Sequence, residues 1–470
     1  MTGSWQEIQS NLSRNEISLS DIVRQYIQNC HSIERLNAYV EVFEEEALSR
    51  AQYLDNKKKN FPENTGKLFG MVISLKDNIN YKDHECTAGS KILQGYRSVY
   101  HATAVQRLLD EDAIIIGRTN CDEFAMGSGT DTSYYGATGN GEDNEKVPGG
   151  SSGGAAVSVQ MNTCLVALGS DTGGSVRQPA AFCNIIGFKP TYGSVSRYGL
   201  IAYASSFDQI GLLSKDHNAI ETVMEVIGGY DPLDSTSLDG NNILPVPIST
   251  KSNYKIAYLK AAIDHPSLSQ ENKDLFSESI EKMKKQGHWV EGIDFEFIDY
   301  LVPTYYILTT AEASSNLNRY DGIRYGYRSK SQKNIQELYE KTRSEGFGIE
   351  VKRRIILGTF VLSEGYFDAY YRKAQAARRL IKDSIDQIFE RYDFIILPTV
   401  PDRAWTKGSF LNDPVKMYLS DIYTVLANLS GIPSVSLPYP GQTGLGLQIL
   451  AGSREEKKLF IFLNNILILA

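Results

Sequence analysis

Helical and strand rhythms alternate along the first third of the chain. After Ser20 and Asp21, apolar residues fall at Ile22, Val23, Tyr26, Ile27 and Cys30, the spacing of one buried helix face. A strand pattern covers residues 38–43, and a charged helical stretch follows over 44–59. Residues 70–75 form a short, mostly apolar run that reads as a strand, with Lys76 at its end. Thr103 is placed to cap a helix through Asp112, and 113–117 is the next strand. This βαβ rhythm predicts a buried, largely parallel sheet.

Glycine use then changes sharply. Fifteen of the 39 glycines lie between Gly127 and Gly199, interspersed with apolar runs at 164–168 and 185–188. A linker would lack those runs, so the segment reads as tight turns inside a folded core. Residues 215–345 are richer in charge and tyrosine, with helices expected near 269–285 and 309–318. The αβ pattern returns as a long helical stretch over 350–391, a strand at 394–397 and a closing strand-helix unit from Gly446. The fold class is therefore α/β: a mixed, largely parallel central sheet covered by helices on both faces. One domain over 1–470 is expected, with a more helical cover at about 215–345.

Composition narrows the function. The net charge is −8 and the charged fraction 22 %, which removes the broad basic footprint of a nucleic-acid-binding chain. Five cysteines, odd in number and never spaced C-x-x-C, favour a reducing compartment over a disulfide framework or structural zinc. The first residues carry Glu7 and Glu16 and no apolar core, so they read as neither signal nor transit peptide. The apolar tail 459–470 is too short for a span of about 20 residues and reads as a docked helix. A soluble, cytoplasmic protein without membrane contact is expected.

Three elements carry candidate chemistry. The run 149–154, GGSSGG, is open to a flexible-loop reading. A nucleophile elbow is the sharper rival, but it needs a strand directly before the serine and a histidine base. Here 140–146 is polar, Pro148 intervenes, and none of the six histidines ends an apolar strand. The second element is 169–179, GSDTGGSVRQP, directly after an apolar strand. Its glycines let the N–H groups of Thr172, Gly173 and Gly174 converge as an oxyanion nest, with Ser175 beside them as nucleophile. A strained turn with a capping serine is the plain alternative, and no Gly-Lys-Ser/Thr ending supports a phosphate loop. The third is Lys76, either a solvated strand terminus or, desolvated, a general base where no histidine serves. Together they supply nucleophile, shuttle and base, the proton moving from Ser175 through Ser151 to Lys76.

Lysine, then GGSSGG, then DTGGSVR-x-P, in that order and with 24 residues from Ser151 to Ser175, resembles the amidase signature family. The resemblance implies a Ser-Ser-Lys triad of Lys76, Ser151 and Ser175, with a cis peptide at Ser151. Within the family the similarity is strongest to the amidase subunits of aspartyl/glutamyl-tRNA amidotransferases. It is carried by segments 117–128, 187–193, 197–208, 312–317, 352–355 and 365–371. The chain departs from the pattern at Ala155 and Gly129, where serines are common.

That likeness implies a glutaminase whose ammonia serves partner subunits B and C. The partners would use ATP and magnesium to amidate Glu-tRNA(Gln) or Asp-tRNA(Asn), holding the misacylated tRNA mainly themselves, in a heterotrimer. No cofactor and no metal are expected in this chain. By position, Tyr305, Arg354 and Asp421 hold the free glutamine, Arg354 forking its carboxylate and Asp421 taking its ammonium. A free-standing amidase acting on another small amide and a non-catalytic assembly subunit are the rival readings.

Overall fold

The computed structural model describes residues 3–239, 253–411, 413–442 and 444–467. Eleven strands form one sheet: β1 Tyr39–Val42, β2 Val72–Lys76, β3 Ile114–Thr119, β4 Val166–Ser170, β5 Ile186–Lys189, β6 Ile210–Ser214, β7 Lys255–Leu259, β8 Trp289–Ile293, β9 Phe394–Pro398, β10 Ser434–Pro438 and β11 Gly446–Ala451. Their order is β1-β3-β2-β4-β6-β5-β10-β11-β9-β7-β8. β2, β3, β4, β6, β9 and β11 are buried along their whole length, which explains their unbroken apolar runs.

Successive residues of β9 divide between two apolar clusters. Phe394 and Ile396 pack with Val72, Ile73 and Val435, whereas Ile395 and Leu397 pack with Leu308 and Val351. Alternate side chains of a strand point to opposite faces, so the two clusters are the two faces of the sheet. Helices roof both, as expected: Val23, Val105 and Ala156 join the first cluster, Leu308, Val351 and Ile381 the second.

The sheet is mixed, but its parallel share is smaller than the βαβ rhythm suggested. Six of the ten strand pairings among the described residues are antiparallel. Parallel neighbours need a crossover of a dozen or more residues. Helix Thr103–Asp110 supplies one between β2 and β3, and Gln270–Lys285 one between β7 and β8. Between β5 and β6 the connection carries no helix, and β10 turns into β11 within a few residues; both pairs are antiparallel.

Other expectations shift in detail. The helix placed after Ser20 begins at Leu19, because Ser18 and Asp21 form a reciprocal capping box. Thr103 is not a cap; it is the first helical residue, and its hydroxyl donates to Asp231. The helix expected at 309–318 is the end of a longer one, Ile298–Asn316, whose first half Pro303 disguises. The stretch 350–391 is two helices, Ile349–Leu362 and Arg372–Phe389, separated where Gly365 adopts a left-handed φ of +84°. Segment 215–345 supplies β7 and β8 to the sheet edge as well as helices, and its residues 240–252 lie outside the described residues. The tail does form a docked helix, Glu456–Leu467, with Leu459, Phe460, Phe462 and Leu463 buried. Among the described residues no helix is long and apolar enough to cross a membrane. All five cysteines are free and buried.

For the site, one consequence of this topology matters most. β2 and β4 run parallel side by side, Leu75 opposite Leu168, so Lys76 and Ser170 end on the same sheet edge. In α/β sheets that carboxyl edge is where ligands bind.

Candidate active site

Lys76 is fully buried. Its Nζ lies 2.6 Å from Ser151 Oγ, 3.0 Å from Ser152 Oγ and 2.9 Å from Ser170 Oγ. Burial pushes the amine down to about 8, against the pull of Asp122, Asp171 and Asp208, which favour its charge. The solvated-terminus alternative for Lys76 therefore falls away.

The 149–154 run is buried throughout rather than a flexible surface loop. Gly150 N donates to Gln178 Oε1 at 2.9 Å, and the Gly150–Ser151 peptide is cis. Helix Gly153–Gln160 starts directly after Ser152. Ser152 Oγ donates to Ser170 O at 3.2 Å and accepts from Ser170 N at 3.3 Å. With its own proton committed, Ser152 can only accept from Lys76. Asn78 Nδ2 also donates to Ser170 Oγ, at 3.0 Å.

Ser175 follows in the turn after β4. Ser152 N donates to Ser175 O at 3.1 Å, tying the two loops together. The Ser175 hydroxyl has no hydrogen-bond partner among the described residues and is not bonded to Ser151; the residue is 8 % exposed. The structure thus joins Lys76 to Ser151 directly and brings Ser175 to the same loop through its backbone.

The N–H groups expected to form the oxyanion nest differ in their present partners. Gly174 N–H donates to Asp171 Oδ1 at 2.9 Å and is already engaged. The N–H groups of Thr172, Gly173 and Ser175 have no partner among the described residues. Both glycines are sterically required. A Cβ on Gly173 would sit 2.4 Å from the Tyr305 hydroxyl, and one on Gly174, where φ is +129°, 2.2 Å from Thr424 Oγ1.

This turn is braced by an interaction that sequence reasoning missed. Arg177 is fully buried and donates from Nε and Nη2 to Asp171 at 3.0 and 2.9 Å. Its remaining donors reach Thr424 O, Gln448 Oε1 and Asn428 Oδ1. Burial alone would raise the Asp171 carboxyl; the charge and hydrogen bonds of Arg177, with Lys189 and Asn428, outweigh it and hold the group at about 2. A signal was present in the sequence: an acid and a base six residues apart, flanking two glycines and the serine.

Tyr305, Arg354 and Asp421 come from three distant elements and converge here. Tyr305 is buried on helix Ile298–Asn316, against Gly173. Its neighbour Tyr306 donates to Asp421 Oδ2 at 2.7 Å and lies 5.2 Å from the Arg354 guanidinium, bridging the two charges. Ser128 Oγ donates to Asp421 Oδ1 at 3.3 Å. Burial raises the Asp421 carboxyl to about 7, against the Tyr306 hydrogen bond and the Arg354 charge.

Arg354 is buried on helix Ile349–Leu362. Nε donates to Glu350 at 2.8 Å and Nη1 to the Tyr203 hydroxyl at 2.9 Å. Nη2 has no partner among the described residues. The two-pronged fork expected for a carboxylate is thus partly committed, with Nη2 its free prong. Among the described residues no cluster of three or more His, Cys, Asp or Glu is placed to hold a metal.

The sequence pattern of the Amidase family matches residues 21–460. The chain belongs to the amidase signature family. This amidase is 47 % identical over 431 residues to the A subunit of glutamyl-tRNA(Gln) amidotransferase from Macrococcus caseolyticus, across 90 % of this chain and 88 % of that one. It is 44 % identical to the protein of the same name from a Sulfurihydrogenibium species, across 97 % and 95 %. The crystal structure of the Thermotoga maritima counterpart superposes with a TM-score of 0.76 at 34 % identity, covering 95 % of this amidase and 93 % of that chain.

Arg177→Ala leaves the Asp171 charge buried and unpaired, a change that costs about 3–5 kcal/mol. The denaturation midpoint should fall accordingly, and a variant as stable as the parent would contradict the bracing role.

Proposed function

We propose that this chain is the glutaminase subunit of a tRNA-dependent amidotransferase. The hydrogen-bond set around Lys76 carries the reading. A neutral amine has two N–H groups and one lone pair. Ser152 and Ser170 accept the two N–H groups, which leaves the lone pair for the Ser151 hydroxyl 2.6 Å away. Ser151 gives its proton to Lys76 and takes that of Ser175 as Ser175 Oγ attacks the glutamine side-chain amide carbon. The N–H groups of Thr172, Gly173 and Ser175 hold the oxyanion that forms.

Collapse of that intermediate breaks the C–N bond, and the proton returns through Ser151 to the departing ammonia. Water then follows the same path in reverse, attacks the glutamyl ester and releases glutamate with Ser175 restored. The α-carboxylate of glutamine meets Arg354 Nη2, and its ammonium meets Asp421. The ammonium itself favours the ionised form of Asp421, offsetting the burial that raises it. A donor for the carboxylate and an acceptor for the ammonium favour a free amino acid over a generic amide, and so the glutaminase over the free-standing amidase.

Relatives at 44–47 % identity are named as A subunits of glutamyl-tRNA(Gln) amidotransferases, which supports an assembly with further subunits. In the proposed assembly ammonia passes to partner subunits B and C, which in the cytoplasm use ATP and magnesium to amidate misacylated Glu-tRNA(Gln) or Asp-tRNA(Asn). The net charge of −8 agrees with the tRNA being held mainly by those partners.

Ser175→Ala should abolish glutamine hydrolysis while ammonium still supports tRNA amidation by the assembled complex; glutamine-dependent turnover in that variant removes Ser175 from its role. Asp421→Asn should lower kcat/KM for glutamine about 100-fold, roughly 3 kcal/mol. Steady-state kinetics matching the parent would place the substrate ammonium elsewhere.

A further inference from the structure

Helix Ile349–Leu362 has two very different sides. Its inner side carries Glu350 and Arg354, both buried. Its outer side carries Ile349, Ile356, Leu357 and Phe360, which are 68, 69, 41 and 43 % exposed. Residues 349, 356 and 360 repeat at i, i+7 and i+11, a single apolar stripe along the helix. The turn that follows extends it. Tyr366 and Tyr370, 43 and 42 % exposed, stand with their rings 4.2 and 5.9 Å from Phe360.

Six large side chains at about half exposure, each of about 200 Å², present on the order of 600 Å² of contiguous apolar surface. That is the upper limit for a free monomer and approaches the roughly 800 Å² one partner buries in a stable interface.

The charges around the stripe narrow the occupant. Arg353 and Arg354 share one carboxylate, Glu350. Asp368 is taken by Arg372, and the exposed Lys373 has no ion-pair partner among the described residues. Leaving out the buried Glu350–Arg354 pair, four basic residues (Lys352, Arg353, Arg372 and Lys373) stand against two acidic ones (Glu364 and Asp368) over 349–373, in a chain that is acidic overall. A second copy would set this positive rim against itself. Glu364, exposed amid the rings and without an ion-pair partner among the described residues, opposes the phosphates of a nucleic acid or an anionic membrane.

We propose that this face docks a partner subunit of the amidotransferase, through an apolar surface rimmed by carboxylates. The inference rests on the amidotransferase reading above. It places the partner on the outer side of the helix whose inner side presents Arg354.

The test uses the full chain with subunits B and C from the same organism. The double variant Ile356→Glu/Phe360→Glu should assemble at least 100-fold more weakly, measured by titration calorimetry and size-exclusion mass. Its melting temperature should be unchanged, since both residues face solvent; Ile356→Glu alone gives a milder version of the same loss. Wild type and variant assembling equally would overturn the docking face and leave the amidotransferase reading intact. Wild type failing to assemble at all would overturn both. Binding to anionic vesicles, to tRNA or to a second copy that is lost in the variant while assembly persists would also overturn it, assigning the face to that occupant.

Discussion

A lysine amine out of reach of water is the constraint around which this structure is arranged. Burying an isolated ammonium costs several kcal/mol, and at Lys76 three serine hydroxyls contributed by two segments compensate for the lost solvent. Those hydroxyls are themselves held: Ser152 by the backbone of Ser170, Ser170 by Asn78, and the loop before Ser151 by Gln178. The hydroxyls stabilise the amine without pairing it to a carboxylate. Asp122, Asp171 and Asp208 act on it from a distance, and burial outweighs them. A direct acid partner would have kept the lysine charged and useless as a base.

The negative charges nearby have their own commitments. Asp171 is saturated by Arg177, Asn428 and two backbone N–H groups. Through Arg177 the nucleophile turn is joined to residues 424, 428 and 448, and Thr424 closes the loop by donating to Gly173 O at 2.6 Å. The same short segment carries Asp421. On the proposed function, covalent chemistry and substrate recognition share this one frame.

Much of this was legible in the residues, for reasons that can be named. Uniformly buried strands leave continuous apolar runs, so β2, β3, β4 and β9 and the lysine at the end of β2 could be read directly. Glycines that must accept a φ of +129° or the close approach of Tyr305 leave a cluster, which marked the nucleophile turn. Pairing direction was less visible, because an antiparallel strand covered on both faces has the same composition as a parallel one. Tyr305, Arg354 and Asp421 were found through family resemblance alone. Their convergence depends on contacts across more than a hundred residues, such as Tyr306 with Asp421, which no local periodicity encodes. The engagement of Gly174 N–H by Asp171 was invisible for a related reason: a donor's freedom depends on the acid that faces it.

Whether Lys76 sheds its proton near neutrality can be observed directly, by following the Lys76 Nζ resonance of ¹⁵N-lysine-labelled protein through a pH titration. Because burial lowers the folded-state value, the neutral fraction grows as pH rises, and the account requires a midpoint at about 8. An amine that stays protonated up to the ordinary lysine range near 10.4 would leave Ser151 without an acceptor and contradict the account at its centre.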